Sequence, residues 1–100
     1  MNDAGQVVVV AHWVTTAESL DAVLDHAATL RPQALGEAGC LGYEVYQSVD
    51  APTSIVLIER YRDSAALDEH VNSAHYQDLV VQRIRPLLTE RRVEVLHPAP

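Results

Sequence analysis

Two histidines, one interior carboxylate and a few aromatic side chains are the groups in this sequence that could do chemistry. His70 and His75 stand five residues apart, on either side of Asn72 and Ser73. That interval is not the i,i+4 spacing that lays two imidazoles on one helix face for zinc. The sequence has no H-E-x-x-H, no cysteine pair and no acidic calcium loop, so no metal is expected. His75 follows Ser73 by two residues, which places it in the first turn of a helix that Ser73 can cap. A helix N-terminus disfavours a cationic ring there and leaves a neutral imidazole able to accept a proton. The bland alternative for His75 is a solvent-facing or capping ring. His70 lies three residues after Leu67, on the apolar side of a short helix, where a satisfied half-buried histidine is the alternative. Glu59 sits in a strand of apolar neighbours. A carboxylate in such surroundings is paired, protonated or functional, and an ion pair with an edge arginine is the competing explanation.

These groups need elements to position them. Val7 to Val14 is dense in β-branched residues and predicts a strand. Thr15-Thr16-Ala17-Glu18 has the form of a capping box. Leu20, Val23, Leu24, Ala27, Leu30 and Ala34 then recur at helical spacing. Pro32 predicts a kink or a restart in that helix, and Gly36 and Gly39 end it. Leu41 to Val49 and Ser54 to Arg62 predict two strands joined by the turn Asp50-Ala51-Pro52-Thr53. Opposing Glu44 to Arg60 sets a register that also faces Tyr43 with Tyr61 and Val45 with Glu59. Leu57, Glu59, Tyr61, Tyr43 and Val45 then share one face. Asp63 or Ser64 can cap a helix to Val71, and Ser73 a further helix carrying Tyr76, Leu79, Val80, Ile84, Leu87 and Leu88 on one side. Pro86 bends its last turn, and Arg92 to His97 predicts the final strand.

The order β-α-β-β-α-α-β, two right-handed crossovers joined by a hairpin, predicts an α+β, ferredoxin-like domain over residues 1–100, with an antiparallel sheet and helices on one face. The central strand is apolar on both parities, Ile55 and Leu57 against Val56 and Ile58, and Val7 to Val10 repeat this. No helix remains to cover the second sheet face. The simplest cover is a second copy, which predicts a homodimer joined through its sheets.

Composition narrows the chemistry. The chain has 100 residues, 14 acidic and 7 basic, for a net charge of −7. The basic residues are all arginine. Without lysine there is no Schiff-base chemistry. The acidic balance argues against a nucleic-acid partner. A single cysteine, Cys40, predicts a reduced, cytoplasmic setting and a buried, inert thiol. The apolar run Val7 to Ala11 is too short for a membrane span. No phosphate loop, nucleophile elbow or dinucleotide fingerprint is present, so no cofactor is expected.

Three stretches carry a resemblance: Glu37 to Tyr46, Ser54 to Tyr61 and Ala65 to Tyr76. Their Glu-x-Gly-Cys-x-x-Tyr-Glu, Ile-Glu-Arg-aromatic and His-x-x-Ser-x-His patterns are similar to the antibiotic-biosynthesis monooxygenase family, of the dimeric α+β barrel superfamily. They lie nearest its bacterial quinol-monooxygenase branch, which shares the strand at Glu59 and both His70 and His75. The resemblance implies oxidation of a small phenolic, quinol or polyketide-like aromatic by dioxygen without a cofactor. His75 or Glu59 would be the base, with Tyr43, Tyr61, His70, Trp13 and Leu57 lining the substrate site. The polyketide anthrone oxygenases have Asn, Trp and Tyr where this chain has Leu57, Tyr61 and Leu67. The haem-degrading members have a Trp near His70 and a ligating His near Val80, and this chain has neither. A small-molecule isomerase or lyase, or a non-catalytic ligand-binding dimer, are the other functions this fold accommodates.

Overall fold

A computed structural model describes residues 5–99. Residues 1–4 and 100 of the expected domain lie outside the described residues. The elements run β1 (Val7–Thr15), α1 (Leu20–Leu35), β2 (Cys40–Gln47), β3 (Ser54–Tyr61), α2 (Ser64–Val71), a third helix α3 (Tyr76–Ile84), a 3₁₀ turn (Arg85–Leu87) and β4 (Leu88–Leu96). The sheet order is β2-β3-β1-β4, and every neighbouring pair is antiparallel. This is the expected ferredoxin-like arrangement. No helix of the described residues is long and apolar enough to cross a membrane.

The alternation of β1 decides which sheet face meets the helices. Val7, Val9, Ala11, Trp13 and Thr15 are buried, and the residues between them are half-buried. On β3 the buried set is Ile55, Leu57, Glu59 and Tyr61. From α1, Val23, Ala27, Leu30 and Ala34 pack onto this face at helical spacing. The opposite face carries Val8, Val10, Val14, Val56 and Ile58, all half-buried, with Tyr46 exposed at one side.

Four local expectations are corrected. The capping box does not form. Thr15 ends β1 and its hydroxyl donates to Leu87 O at 2.6 Å, so the helix starts only after Ser19. Helix α1 also runs through Pro32 without a break, because Ala28, whose carbonyl loses its donor there, lies on the exposed side where water can replace it. The hairpin register is offset by two residues from the expected one, pairing Tyr43 with Glu59, Glu44 with Ile58 and Val45 with Leu57. Ser48 N–H bonds Ser54 O at 2.9 Å, which leaves a five-residue loop, 49–53. Glu44 finds its cation on α1: Arg31 donates to Glu44 Oε2 at 3.2 Å and to Tyr43 O at 2.7 Å. Arg31 thereby covers an open carbonyl on the edge strand. An offset of two preserves faces, so Leu57, Glu59, Tyr61, Tyr43 and Val45 do share one side. Finally, β4 begins at Leu88 rather than Arg92. Pro86 ends the helical path early, and Leu88 is already extended.

The caps expected for the later helices are present. Asp63 accepts from Ala66 N–H at 2.8 Å. Ser73 Oγ accepts from Tyr76 N–H at 3.2 Å and donates to His70 O at 2.6 Å. Helix α3 is wound as a π-helix, its last N–H, that of Arg85, reaching back five residues to Val80 O.

Candidate functional site

A cavity of about 280 Å³ lies between the helix-side face of the sheet and the α2–α3 segment. One rung of the sheet, Tyr43–Glu59–Val9–Val95, runs across its floor. Two further steps along β1 bring Ala11 beside Val93 and Trp13 beside Arg91. The roof is Leu67, His70 and Val71 from α2, Tyr76 and Val80 from α3, and Arg85. The lining is mainly apolar and aromatic with a few polar groups, as in small-molecule sites generally.

His70 is the hub of this roof. It is 1% exposed and ringed by Tyr43, Tyr61, Tyr76 and His75, with ring centroids 5.2 to 6.1 Å away. Its Nδ1 lies 2.8 Å from Glu37 Oε2. The same oxygen is 2.6 Å from His75 Nε2. An ionised carboxylate only accepts, so both rings donate to it, which fixes both tautomers. His70 Nε2 is then left as the lone-pair nitrogen. It is buried without a hydrogen-bond partner and stands 3.8 Å from Glu59 Oε1. Burial pushes the His70 imidazole below its ordinary value, against the upward pull of Glu37. The ring is therefore held neutral.

Glu59 is 6% exposed and pushed up to about 7, chiefly by burial and further by the Glu37 charge, while a hydrogen bond from Tyr61 holds it down. It thus divides between acid and base forms near neutral pH. Burial and the nearby Glu59 carboxylate push the Tyr43 and Tyr61 phenols far up, so both remain hydrogen-bond donors. Cys40 is half-buried and its thiol is pushed up by burial, which fits an inert role.

Among the expected residues, Glu59, His70, Tyr43 and Trp13 line the cavity together. Leu57 and Tyr61 do not line it: both are fully buried in the packed layer, and Tyr61 reaches the site only through Glu59. His75 also stands off the cavity, behind His70, where it meets Glu37. The residue absent from the expected set is Glu37, on the short connection between α1 and β2. The motif Glu-x-Gly-Cys that begins with it was the signal that could have found it. Gly39 explains how that connection gets close enough, since a Cβ there would overlap Ala66 of α2. Tyr76, Arg85 and Arg91 were likewise not in the expected set.

Glu37, His70 and His75 could offer three ligand atoms to one cation, all within 4.8 Å of one another. Ligand atoms around a tetrahedral zinc stand about 3.3 Å apart. The observed 2.6 and 2.8 Å are hydrogen-bond separations, and they account for the cluster as a proton-linked network.

An antiparallel sheet with helices on one face, and histidines and carboxylates gathered over one small cavity between them, define a small α+β protein of the ferredoxin-like class. Residues 6–82 match the family model for antibiotic biosynthesis monooxygenase, and the chain belongs to that family. Rv0793 of Mycobacterium tuberculosis is 36% identical over 92 residues, 92% of this chain and 90% of that protein. Its solved structure superposes with a TM-score of 0.89, over 96% of this chain and 97% of that one. "Probable quinol monooxygenase YgiN" of Escherichia coli K12 is 33% identical, over 77% of this chain and 81% of that protein. The solved structure of SO0527 from Shewanella oneidensis is 31% identical with a TM-score of 0.89, covering 96% and 93% of the two chains. The resemblance read from the motifs is thereby borne out.

Proposed function

We propose that the protein is a cofactor-independent monooxygenase that oxidises a small phenolic, quinol or polyketide-like aromatic with dioxygen. The observation that carries this reading is the bare, buried His70 Nε2 in the cavity roof, fixed by Glu37 and facing Glu59. A hydroxyl presented between these two groups loses its proton to one of them. The electron-rich anion gives one electron to dioxygen, and the radical and superoxide combine at a ring carbon to form a peroxide. Its O–O bond breaks as the carbon loses a proton. The products are a quinone holding one oxygen atom and water holding the other. Glu59, split between its two forms near pH 7, can return the proton that the departing hydroxide takes up. The buried apolar side chains of Val9 and Ala11 limit water on that side of the cavity. His75 acts through Glu37 rather than on the substrate. The quinol in the printed name of the Escherichia coli relative favours the quinol end of the substrate class.

The working unit in this reading is a homodimer joined through the open sheet face, whose centre is Val8, Val10, Val56 and Ile58. An oxygen electrode tests the chemistry on a panel of quinols and anthrones. One dioxygen should be consumed per quinone formed, with no increase in oxygen on adding catalase. Release of oxygen by catalase would mean free hydrogen peroxide and an oxidase. Conversion of substrate without oxygen uptake would mean an isomerase or lyase.

A further inference from the structure

We propose that the cavity selects an aromatic substrate bearing a carboxylate, and that Arg85, assisted by Arg91, is the specificity-determining partner of that group. The inference rests on the cavity being the substrate site, and adds which substrates it takes.

Arg85 leaves α3 into the cavity roof with its side chain half-buried. One Nη2 hydrogen bond goes to the Tyr76 hydroxyl, at 3.2 Å. Its Nε is buried without a hydrogen-bond partner. The other helix arginines are paired, Arg31 with Glu44 and Arg83 with Asp78. Neither Arg85 nor Arg91, the latter exposed on β4, is in an ion pair among the described residues. A half-buried guanidinium with one buried, unpaired N–H is incompletely compensated, and the ligand that completes it is an acceptor with two oxygens in one plane.

The one carboxylate in the cavity wall, Glu59, stands at the other end. It lies on the rung of Val9, whereas Arg91 lies on the rung of Trp13, four residues along β1 and so about 13 Å away. Glu59 is moreover held by Tyr61. Between the two ends the floor is Val9, Ala11, Val93 and Val95, which offer no polar side chain. The floor is thus bipolar, with Glu59 at one end, an apolar stretch and Arg91 at the other, and Arg85 reaches the cavity from the roof beside Tyr76. The chain's net charge of −7 repels anions at long range, so two arginines lining this one cavity serve a local purpose. Both lie beyond residues 6–82, outside the stretch that matches the family model.

The test compares two ligands by isothermal titration calorimetry without oxygen, so that nothing turns over. One is 2-naphthol. The other is 6-hydroxy-2-naphthoate, whose hydroxyl and carboxylate occupy opposite ends of one rigid bicycle. The acid should bind at least tenfold more tightly, and its advantage should shrink as salt is raised. Arg85→Gln should bring the acid down to the affinity of the naphthol, and Arg91→Gln should remove a smaller part of the advantage. Equal binding of the two ligands, binding of neither, or an advantage that salt leaves unchanged in the unaltered protein would each overturn the proposal, whatever the variants do. An intact preference for the acid in a protein that consumes no oxygen with any quinol would instead sink the oxygenase reading alone.

Discussion

Tyr61 donates its phenolic proton to Glu59 Oε1 at 2.6 Å, two residues away on the same strand and the same face. This bond stabilises the ionised carboxylate and is the one influence that opposes burial at Glu59. Tyr61→Phe should therefore move Glu59 above its value of about 7. A carbon-13 titration of the Glu59 carboxyl reads this directly. A downward movement would show that the bond is not made in solution.

Burial of Glu59 also makes stability depend on pH. The carboxyl stands at about 7 when folded, against 4.5 for a freely solvated glutamate side chain. Its folded value is raised, so between these limits the folded chain binds the extra proton. The contribution is complete below about pH 4.5 and lost as pH rises through about 7, worth at most about 3 kcal/mol. His70, pushed below 6.5, works in the opposite sense, contributing above that value and losing its share as pH falls. Urea unfolding of the wild type and Glu59→Gln at several pH values separates the two. Between pH 5 and 7.5 the wild type should lose stability relative to the variant. Parallel curves would exclude the linkage.

Glu37 holds both histidine tautomers through one oxygen. Replacing it by Gln should let His70 sample both tautomers, visible in its nitrogen-15 shifts. Turnover of an active quinol should fall about 10²-fold, the scale of losing an oriented base. His75→Ala leaves the Glu37–His70 bond in place and should cost about tenfold. If His75→Ala costs more than His70→Ala, the imidazole that meets the substrate is that of His75.

Gly39 is glycine because α2 passes against it. Gly39→Ala should force Ala66 and the helix outward, costing about 1–3 kcal/mol. The same shift should lengthen the reach from Glu37 to His70. A drop in the thermal midpoint, together with loss of the single His70 tautomer, is the expected pair of observations. A variant as stable as the parent would mean that α2 gives way freely.

Ile58 lies at the centre of the open sheet face, opposite Val10. Light scattering should give about twice the 11.0 kDa chain mass. Ile58→Asp should shift the population to monomer and lower stability by several kcal/mol, because it places an unpaired charge in the contact. A wild type that is monomeric at micromolar concentration would refute the dimer.

Much of the architecture was legible because strand and helix periods are strong along this chain, and a strand's face survives an even offset. That is why the face holding Tyr43 and Glu59 was right although their partners were not. The register depends on a loop of five residues and on Arg31 drawing Glu44 toward a helix, contacts distant in sequence. Glu37 was hard to see for a related reason: it sits in a connection, where no periodicity marks a residue as pointing inward. His75 was legible as a first-turn residue, but the direction in which its ring points depends on where Glu37 arrives. The early end of α3 follows from Pro86, while the extension of β4 back to Leu88 follows from pairing with β1, which local sequence does not encode.

The π-winding of α3 sets the compass bearing of Arg85. Tyr76 and Arg85 are nine positions apart. On an α-helix, nine steps of about 100° leave two side chains on opposite sides. With hydrogen bonds reaching back five residues, a turn holds about 4.4, and nine positions close almost two full circles. Tyr76, Val80 and Arg85 therefore look the same way, into one cavity. Measured against an α-helix of equal span, the segment carries a surplus of residues. Ordinary α winding at unchanged length would turn the guanidinium about half a circle away from Tyr76, whereas deleting one residue between Val80 and Arg85 would leave the arginine four positions after Val80, within about 40° of it. The surplus residue and the wide winding thus offset one another, and it is their combination that keeps Arg85 on the side of Tyr76 and Val80.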